Sequence, residues 1–157
     1  MRIGNGVDVH AFSDDPNRLL VLGGVQIPGA QGLDGHSDAD VVLHAIVDAL
    51  LGAAALGDLG SLVGIDRPET HGASSASFVR AALDELAAAG FTIGNVDATV
   101  VAQTPRLSGV IAQMRDSVAH LLRVPTTQVS IKATTTDRLG AIGNNEGIAC
   151  LAVVLIV

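Results

Sequence analysis

The stretch Gly6–Phe12 reads GVDVHAF, and its two polar side chains, Asp8 and His10, occupy alternate positions of an otherwise apolar segment. In an extended chain that spacing aims a carboxylate and an imidazole at the same side. A second imidazole, His44, lies between Leu43 and Ala45 in a run with helical apolar spacing. One carboxylate oxygen and two imidazole nitrogens suit zinc and leave a fourth tetrahedral position for water or substrate, the arrangement of a catalytic rather than a structural ion. The competing reading is plainer: Asp-x-His is a common tripeptide, and a lone helical histidine can be a satisfied core or surface residue. Asp40 and Asp48 flank His44 at four-residue spacing. Either acid could orient the imidazole, or the three could form a solvated helix face.

Two further clusters could handle phosphate. His36 and Ser37 precede the helix that carries His44, where unpaired backbone N–H groups favour an anion; the alternative is a simple N-cap. The second cluster is KATTTD, Lys132–Asp137, which joins the only lysine of the chain to three threonines and a carboxylate at a strand end. It suits one phosphate and a second, harder divalent cation through Asp137, or else a threonine-rich strand with a charged turn. AQTPR, Ala102–Arg106, adds a proline turn and an arginine after another strand.

The elements that must position these groups follow from periodicity and punctuation. RIGNGVDVHAF and RLLVLGGVQI read as two extended segments, the second ending at Pro28 and Gly29. VVLHAIVDALLGAAALG, 41–57, reads as a helix with Ser37 and Asp38 as candidate N-caps. GDLGSLVGIDRPETHG, 57–72, reads as a long loop punctuated by glycine and proline. SSASFVRAALDELAAAG is a second helix, with Val79, Ala82, Leu83 and Leu86 on its stripe and Gly90 as terminator. FTIGNVDATVVAQ is a strand, and RLSGVIAQMRDSVAHLLRV a third helix, striped by Leu107, Val110, Ile111, Met114, Val118 and Leu121. QVSIKATTT and GIACLAVVLIV close the chain as strands joined by DRLGAIGNNE. That order predicts an α+β domain over 1–157, with helices on one face of a single sheet. The continuously apolar last strand implies burial on both faces, by a second subunit or simply by a central place in the sheet.

Composition bounds the chemistry. The chain has 157 residues, 48% of them hydrophobic, which suffices for one domain with its own core. A single cysteine, Cys150, excludes an intrachain disulfide and reads as a buried structural thiol. No basic segment followed by a cleavage site opens the chain, and no apolar run approaches the roughly 20 residues that span a bilayer, so a soluble cytoplasmic protein without membrane contact is expected. Net charge is −7, with three phenylalanines and neither tryptophan nor tyrosine. A basic phosphate-tracking patch and a base-stacking platform are both lacking, so nucleic acid is excluded as a partner. Only nine lysines and arginines are present. A phosphorylated substrate would therefore need metal ions for much of its counter-charge.

Taken in order, GVDVHAF, LGGVQIP, GHSDADVVLHAIVDALLGAAALGDLG, GNVDATVVAQTPR, KATTTDRLG and NEGIAC resemble the 2-C-methyl-D-erythritol 2,4-cyclodiphosphate synthase family of the non-mevalonate isoprenoid pathway, over essentially the whole chain. The resemblance implies cyclisation of 4-diphosphocytidyl-2-C-methyl-D-erythritol 2-phosphate, in which the 2-phosphate attacks the β-phosphorus and CMP leaves. It implies a mixed α/β subunit, with helices on one face of a mixed four-stranded sheet and trimerisation through the other face, and active sites shared between subunits. Zinc would be held by Asp8, His10 and His44, and magnesium or manganese by Asp137, where the family often has glutamate. His36, Thr135 and Asp137 match the family's catalytic positions. His36 and Ser37 would bind phosphate oxygens, with Asp8 and His10 beside them. Asp58 and Gly60 would meet ribose or erythritol hydroxyls, with Asp66 standing for an acid of the family's loop. Ala102, Pro105, Arg106, Leu107, Lys132, Ala133, Thr134 and Thr135 would hold the CMP portion. GNNEG puts Asn144 where many members carry an arginine for a centrally bound isoprenoid diphosphate, and Val7 replaces a frequent phenylalanine, so weak or absent isoprenoid binding is expected.

Overall fold

In the computed structural model, which describes residues 1–64 and 72–157, the four-stranded sheet has the order β1 (Arg2–Ala11), β6 (Gly147–Ile156), β4 (Ile93–Val101), β5 (Val129–Thr134). β1–β6 and β6–β4 are antiparallel, and β4–β5 is parallel. The sheet is thus mixed and four-stranded, as expected, and the helices α1 (Val41–Ala54), α3 (Ser75–Ala88) and α4 (Ile111–Leu122) lie to one side of it.

Three local expectations need correction. RLLVLGGVQI is not one extended segment but a hairpin of β2 (Leu19–Leu22) and β3 (Val25–Gln31), because Gly23 and Gly24 both take positive φ, 60° and 74°, as a tight two-residue turn requires. The long loop expected over 57–72 holds a short helix, α2 (Leu59–Val63), whose N-cap Asp58 accepts from the Ser61 N–H at 2.7 Å while Ser61 Oγ accepts from the Asp58 N–H at 3.0 Å. The cap of α1 is Asp40, not Ser37 or Asp38. Its carboxylate accepts the N–H groups of Val42 and Leu43, both at 3.1 Å, and those of Gly23 and Gly24 at 2.8 and 2.6 Å. Asp40 thereby satisfies the helix start and ties the β2–β3 turn to it. Burial pushes its carboxyl up to about 6, against the pull of the hydrogen bonds from Gly24, Gly23 and Leu43. The chain reverses again at a short helix, α5 (Gly140–Gly143), before β6.

α1 is apolar nearly all round, and all but Asp48 and Gly52 of its residues are buried. Such a helix belongs in the middle of a domain. β1 and β6 cover one side of it and α3 another. The contact with β1 is made possible by glycine: a Cβ on Gly4 would lie 2.0 Å from the Ala49 carbonyl oxygen, and one on Gly6 would lie 2.0 Å from that of Ala45. Even-numbered residues of β1 face the helix, so Gly4, Gly6, Asp8 and His10 form one row. The opposite sheet face is bare in the single chain: Val7 and Val9 on β1 and Leu151 and Val153 on β6 are exposed. β6 is central in the sheet, and its other face, with Ile148, Cys150, Ala152, Val154 and Ile156, is wholly buried.

Because overpacking a backbone contact of this closeness costs about 1–3 kcal/mol or more, Gly6→Ala is expected to lower unfolding free energy by at least that amount in urea denaturation. The same substitution is expected to weaken divalent-metal binding, since α1 carries His44.

Candidate functional site

Antiparallel packing of α1 on β1 brings His44, on the first turn of the helix, against the far end of the row begun by Gly4 and Gly6. Asp8 Oδ2 lies 3.0 Å from both His10 Nε2 and His44 Nδ1, and the two imidazole nitrogens are 3.3 Å apart. Three atoms bound at roughly 2.0–2.2 Å to a tetrahedral ion stand roughly 3.3 Å from one another. The triangle is thus the size that a zinc ion with three protein ligands demands, and Asp8, His10 and His44 are the candidate metal ligands among the described residues.

The far side of each imidazole is also held. His10 Nδ1 lies 2.6 Å from the Asp34 carbonyl oxygen, an acceptor only, so this nitrogen carries the hydrogen and Nε2 offers its lone pair to the centre. The loop supplying that carbonyl is strapped by Arg18, which donates to the carbonyls of Gly35 at 2.7 Å and Ser37 at 2.5 Å and also to that of Leu33. His44 Nε2 meets the hydroxyls of Ser75 at 2.8 Å and Ser37 at 3.3 Å. Neither Asp40 nor Asp48 orients His44, contrary to one reading of the spacing: Asp40 caps α1, and Asp48 accepts the Leu59 N–H at 2.7 Å and so anchors α2. Burial alone would raise the Asp8 carboxyl, but hydrogen bonds from His10 and His44 and their nearby charge hold it well below the usual carboxylate range. The bond to Asp8 raises His10 above 6.5, despite its partial burial.

A cavity of about 520 Å³ opens on the triangle, lined by Asp8, His10, His36, Ser37 and His44 and walled by Leu59, Gly60, Val63 and Phe78. The His36 carbonyl accepts the Gly72 N–H at 2.6 Å. Asp58 is exposed beside this cavity as the cap of α2. Asp66 lies outside the described residues. A second cavity, about 500 Å³, sits at the C-terminal ends of the parallel pair β4 and β5, with Ala102, Pro105, Arg106, Leu107, Ala133, Thr134 and Thr135 in its wall. Strand ends of this kind are common ligand positions in parallel sheets. Thr135 Oγ1 lies 3.3 Å from Asp137 Oδ1, and Asp137 takes a left-handed φ of 51°. Lys132 is not in that wall; its ammonium pairs with Asp97. The two cavities have no lining residue in common.

Sequence reasoning passed over Ser75, the Asp34 carbonyl and Phe78. The adjacent serines Ser74 and Ser75 are the one available hint for the first: Ser74 caps α3, which leaves Ser75, fully buried, without that task.

The two shifts set a pH dependence for the metal-free protein. His10, raised when folded, contributes stability that is complete below about pH 6.5 and disappears as pH climbs through its folded value; Asp8, lowered when folded, contributes above pH 3.8 and is lost only in strong acid. Metal-stripped protein is therefore expected to lose thermal stability from pH 6.5 upward. Zinc takes the place of the His10 proton, so saturating zinc is expected to abolish that loss in melting curves recorded between pH 6 and 8.

The chain is 52% identical over 156 residues to the 2-C-methyl-D-erythritol 2,4-cyclodiphosphate synthase of Cronobacter sakazakii, covering 99% of this chain and 97% of that one. It is 49% identical over 157 residues to the protein of the same name from Yersinia pestis, covering 100% and 97%. Among solved structures, IspF of Plasmodium falciparum in a CDP complex superposes with a TM-score of 0.86 at 36% identity, covering 99% of this chain and 95% of that chain. The bifunctional IspDF of Campylobacter jejuni superposes with a TM-score of 0.94 at 42% identity; this chain spans 99% of its own length and 42% of that longer protein. The YgbB family matches residues 1–157, and with sequence, fold and full-length relatives in agreement, the chain belongs to the YgbB family.

Proposed function

We propose that this chain converts 4-diphosphocytidyl-2-C-methyl-D-erythritol 2-phosphate to 2-C-methyl-D-erythritol 2,4-cyclodiphosphate and CMP, a phosphorus–oxygen lyase step of the non-mevalonate route to isoprenoid precursors. The observation that carries this reading is the convergence of Asp8, His10 and His44 at the wall of a cavity that also presents His36 and Ser37. The donor set fits zinc, which when bound supplies a Lewis acid to the diphosphate oxygens.

The reaction forms one bond, from a 2-phosphate oxygen to the β-phosphorus, and breaks another, from that phosphorus to the oxygen that leaves with CMP. Such a transfer asks the protein mainly for alignment and charge stabilisation. His36 and Ser37 hold phosphate oxygens on the metal side, while Asp58 and Gly60, at the start of α2, face the hydroxyl-bearing part of the substrate. The second cavity takes the CMP portion between the 102–107 turn and Ala133–Thr135, with Lys132 immediately before them. Asp137, braced by Thr135 at the edge of that cavity, would hold magnesium or manganese. Asp66 belongs to the same reading through its place in the sequence alone.

One chain presents these half-sites in separate cavities, and it leaves apolar side chains exposed on the sheet face away from the helices. We infer a homotrimer closed through that face, with the metal side of each active site from one subunit and the cytidine side from its neighbour. Among the described residues, no helix is long and apolar enough to cross a membrane.

An assay with the cytidyl substrate, read by phosphorus NMR, is expected to yield the cyclic diphosphate and CMP; linear phosphates with oxygen taken up from water would instead identify a metal-dependent hydrolase. His44→Ala is expected to remove bound zinc and at least about 100-fold of the activity while leaving the oligomer intact in analytical ultracentrifugation. Asp137→Ala is expected to keep zinc and to need about tenfold or more magnesium for half-maximal rate. A monomeric active enzyme would overturn the shared site.

A further inference from the structure

His44 is the most buried of the three candidate ligands, and its two ring nitrogens have different surroundings. Nδ1 faces Asp8 at 3.0 Å, and Nε2 faces Ser75 Oγ at 2.8 Å. Ser75 is 0% exposed, at the first residue of α3. Its hydroxyl donates in turn to Asp38 Oδ1, and the same carboxylate accepts the Ser75 backbone N–H at 3.1 and 3.0 Å. Neither Ser75 nor Asp38 lines the metal-side cavity.

We propose that Asp38 and Ser75 are positioning residues that hold His44 as its Nε2–H tautomer and thereby present an unprotonated Nδ1 to a divalent metal. The direction of the chain of hydrogen bonds follows from counting hydrogens. An ionised carboxylate only accepts, so the single hydroxyl hydrogen of Ser75 is committed to Asp38. The Ser75 oxygen then has only lone pairs to offer, and the hydrogen between it and His44 must come from Nε2. A neutral imidazole has one N–H; the Ser75–Asp38 chain at Nε2 and the Asp8 carboxylate 3.0 Å from Nδ1 compete for it, and with the hydrogen held on Nε2 the bare Nδ1 faces Asp8 and His10 as a metal ligand. Ser37 Oγ, which accepts the Ala39 N–H at 3.1 Å, stands 3.3 Å from the same Nε2 and reinforces the arrangement as a weaker acceptor. A carboxylate at the end of the chain also draws on the N–H and makes the opposite nitrogen a stronger ligand, as carboxylate–histidine–metal arrangements do. His10, on β1, reaches the same state through one backbone carbonyl, that of Asp34. His44 reaches it through a side chain of α3, so the metal centre and the seating of α3 are coupled.

This deepens the metal-centre reading and rests on it. The test uses the full chain with zinc as probe: affinity by competition with a chromophoric chelator, and the His44 tautomer by nitrogen-15 NMR of metal-stripped protein. Ser75→Ala is expected to bind zinc about 10–100-fold more weakly and to lose the preference for Nε2–H. Asp38→Asn, whose amide can donate as well as accept, is expected to move both readouts in the same direction. Ser74→Ala removes the cap of α3, whose side chain accepts from the Ala76 N–H; it is expected to lower the melting temperature while leaving zinc affinity and tautomer unchanged. Zinc affinity of Ser75→Ala within twofold of wild type, with the Nε2–H tautomer kept, would overturn the relay, as would equal losses in Ser74→Ala and Ser75→Ala. Should Ser75→Ala fail to fold by circular dichroism, Asp38→Asn decides by the same two criteria. A wild-type chain that takes up no zinc overturns the metal centre itself, which separates that failure from failure of the relay.

Discussion

The separation of α1 from β1 is the constraint on which the rest of the structure depends. With no Cβ on Gly4 or Gly6, the helix backbone rests directly on the strand backbone, and Ala45, Ala49 and Ala53 add almost no bulk between them. Strand and helix run in opposite directions, so the contact that begins at Gly4 beneath Ala49 and Ala53 continues past Gly6 beneath Ala45 and ends with Asp8 and His10 beside His44. At a more usual strand–helix distance the imidazole of His44 could not reach Asp8. The same row of alternate residues is therefore small where the backbones touch and polar where the metal ligands must meet.

Two charged side chains secure this arrangement from outside. Asp40 accepts four backbone N–H groups, two from the start of α1 and two from the β2–β3 turn. An orphaned buried donor costs roughly 1–3 kcal/mol, so one carboxylate stabilises both segments. Arg18, at the opening of that hairpin, donates to the carbonyls of Leu33, Gly35 and Ser37. The loop it straps delivers the Asp34 carbonyl to His10 and places His36 and Ser37 at the cavity. Hairpin, loop and helix start are thus one hydrogen-bonded unit built around the site.

The scarcity of cations acquires a structural meaning here. Arg18 is committed to three carbonyls and Lys132 to Asp97. Arg106 lines the second cavity, whereas no lysine or arginine among the described residues lines the metal-side cavity, and an acidic chain of net charge −7 needs divalent ions there to offset the charge of such a substrate. The carboxylates are divided in a comparable way: Asp40 and Asp48 serve backbone N–H groups, Asp38 serves Ser75, and Asp8 alone faces both imidazoles.

Strand alternation by itself puts Asp8 and His10 on one face, and helical spacing turns His44 toward the interior. The three long helices and the four strands of the main sheet were equally legible, since long apolar stripes leave little choice of element, whereas the separate two-stranded β2–β3 sheet reads as one extended segment. Short-range hydrogen-bond choices were not legible. Ser37, Asp38 and Asp40 are all good caps by type, and only the position of the Gly23–Gly24 turn decides that Asp40 takes the role; the helix α2 exists because Asp58 and Ser61 cap each other within a stretch rich in loop formers. Nor does any periodicity reveal that Ser75, more than thirty residues beyond His44, supplies the partner of its outer nitrogen. The residue types able to bind a metal are a property of the chain order, because each element's period decides which side a residue faces. Their meeting within hydrogen-bond distance belongs to the tertiary structure, because it depends on how closely two backbones approach, and here two glycines set that distance.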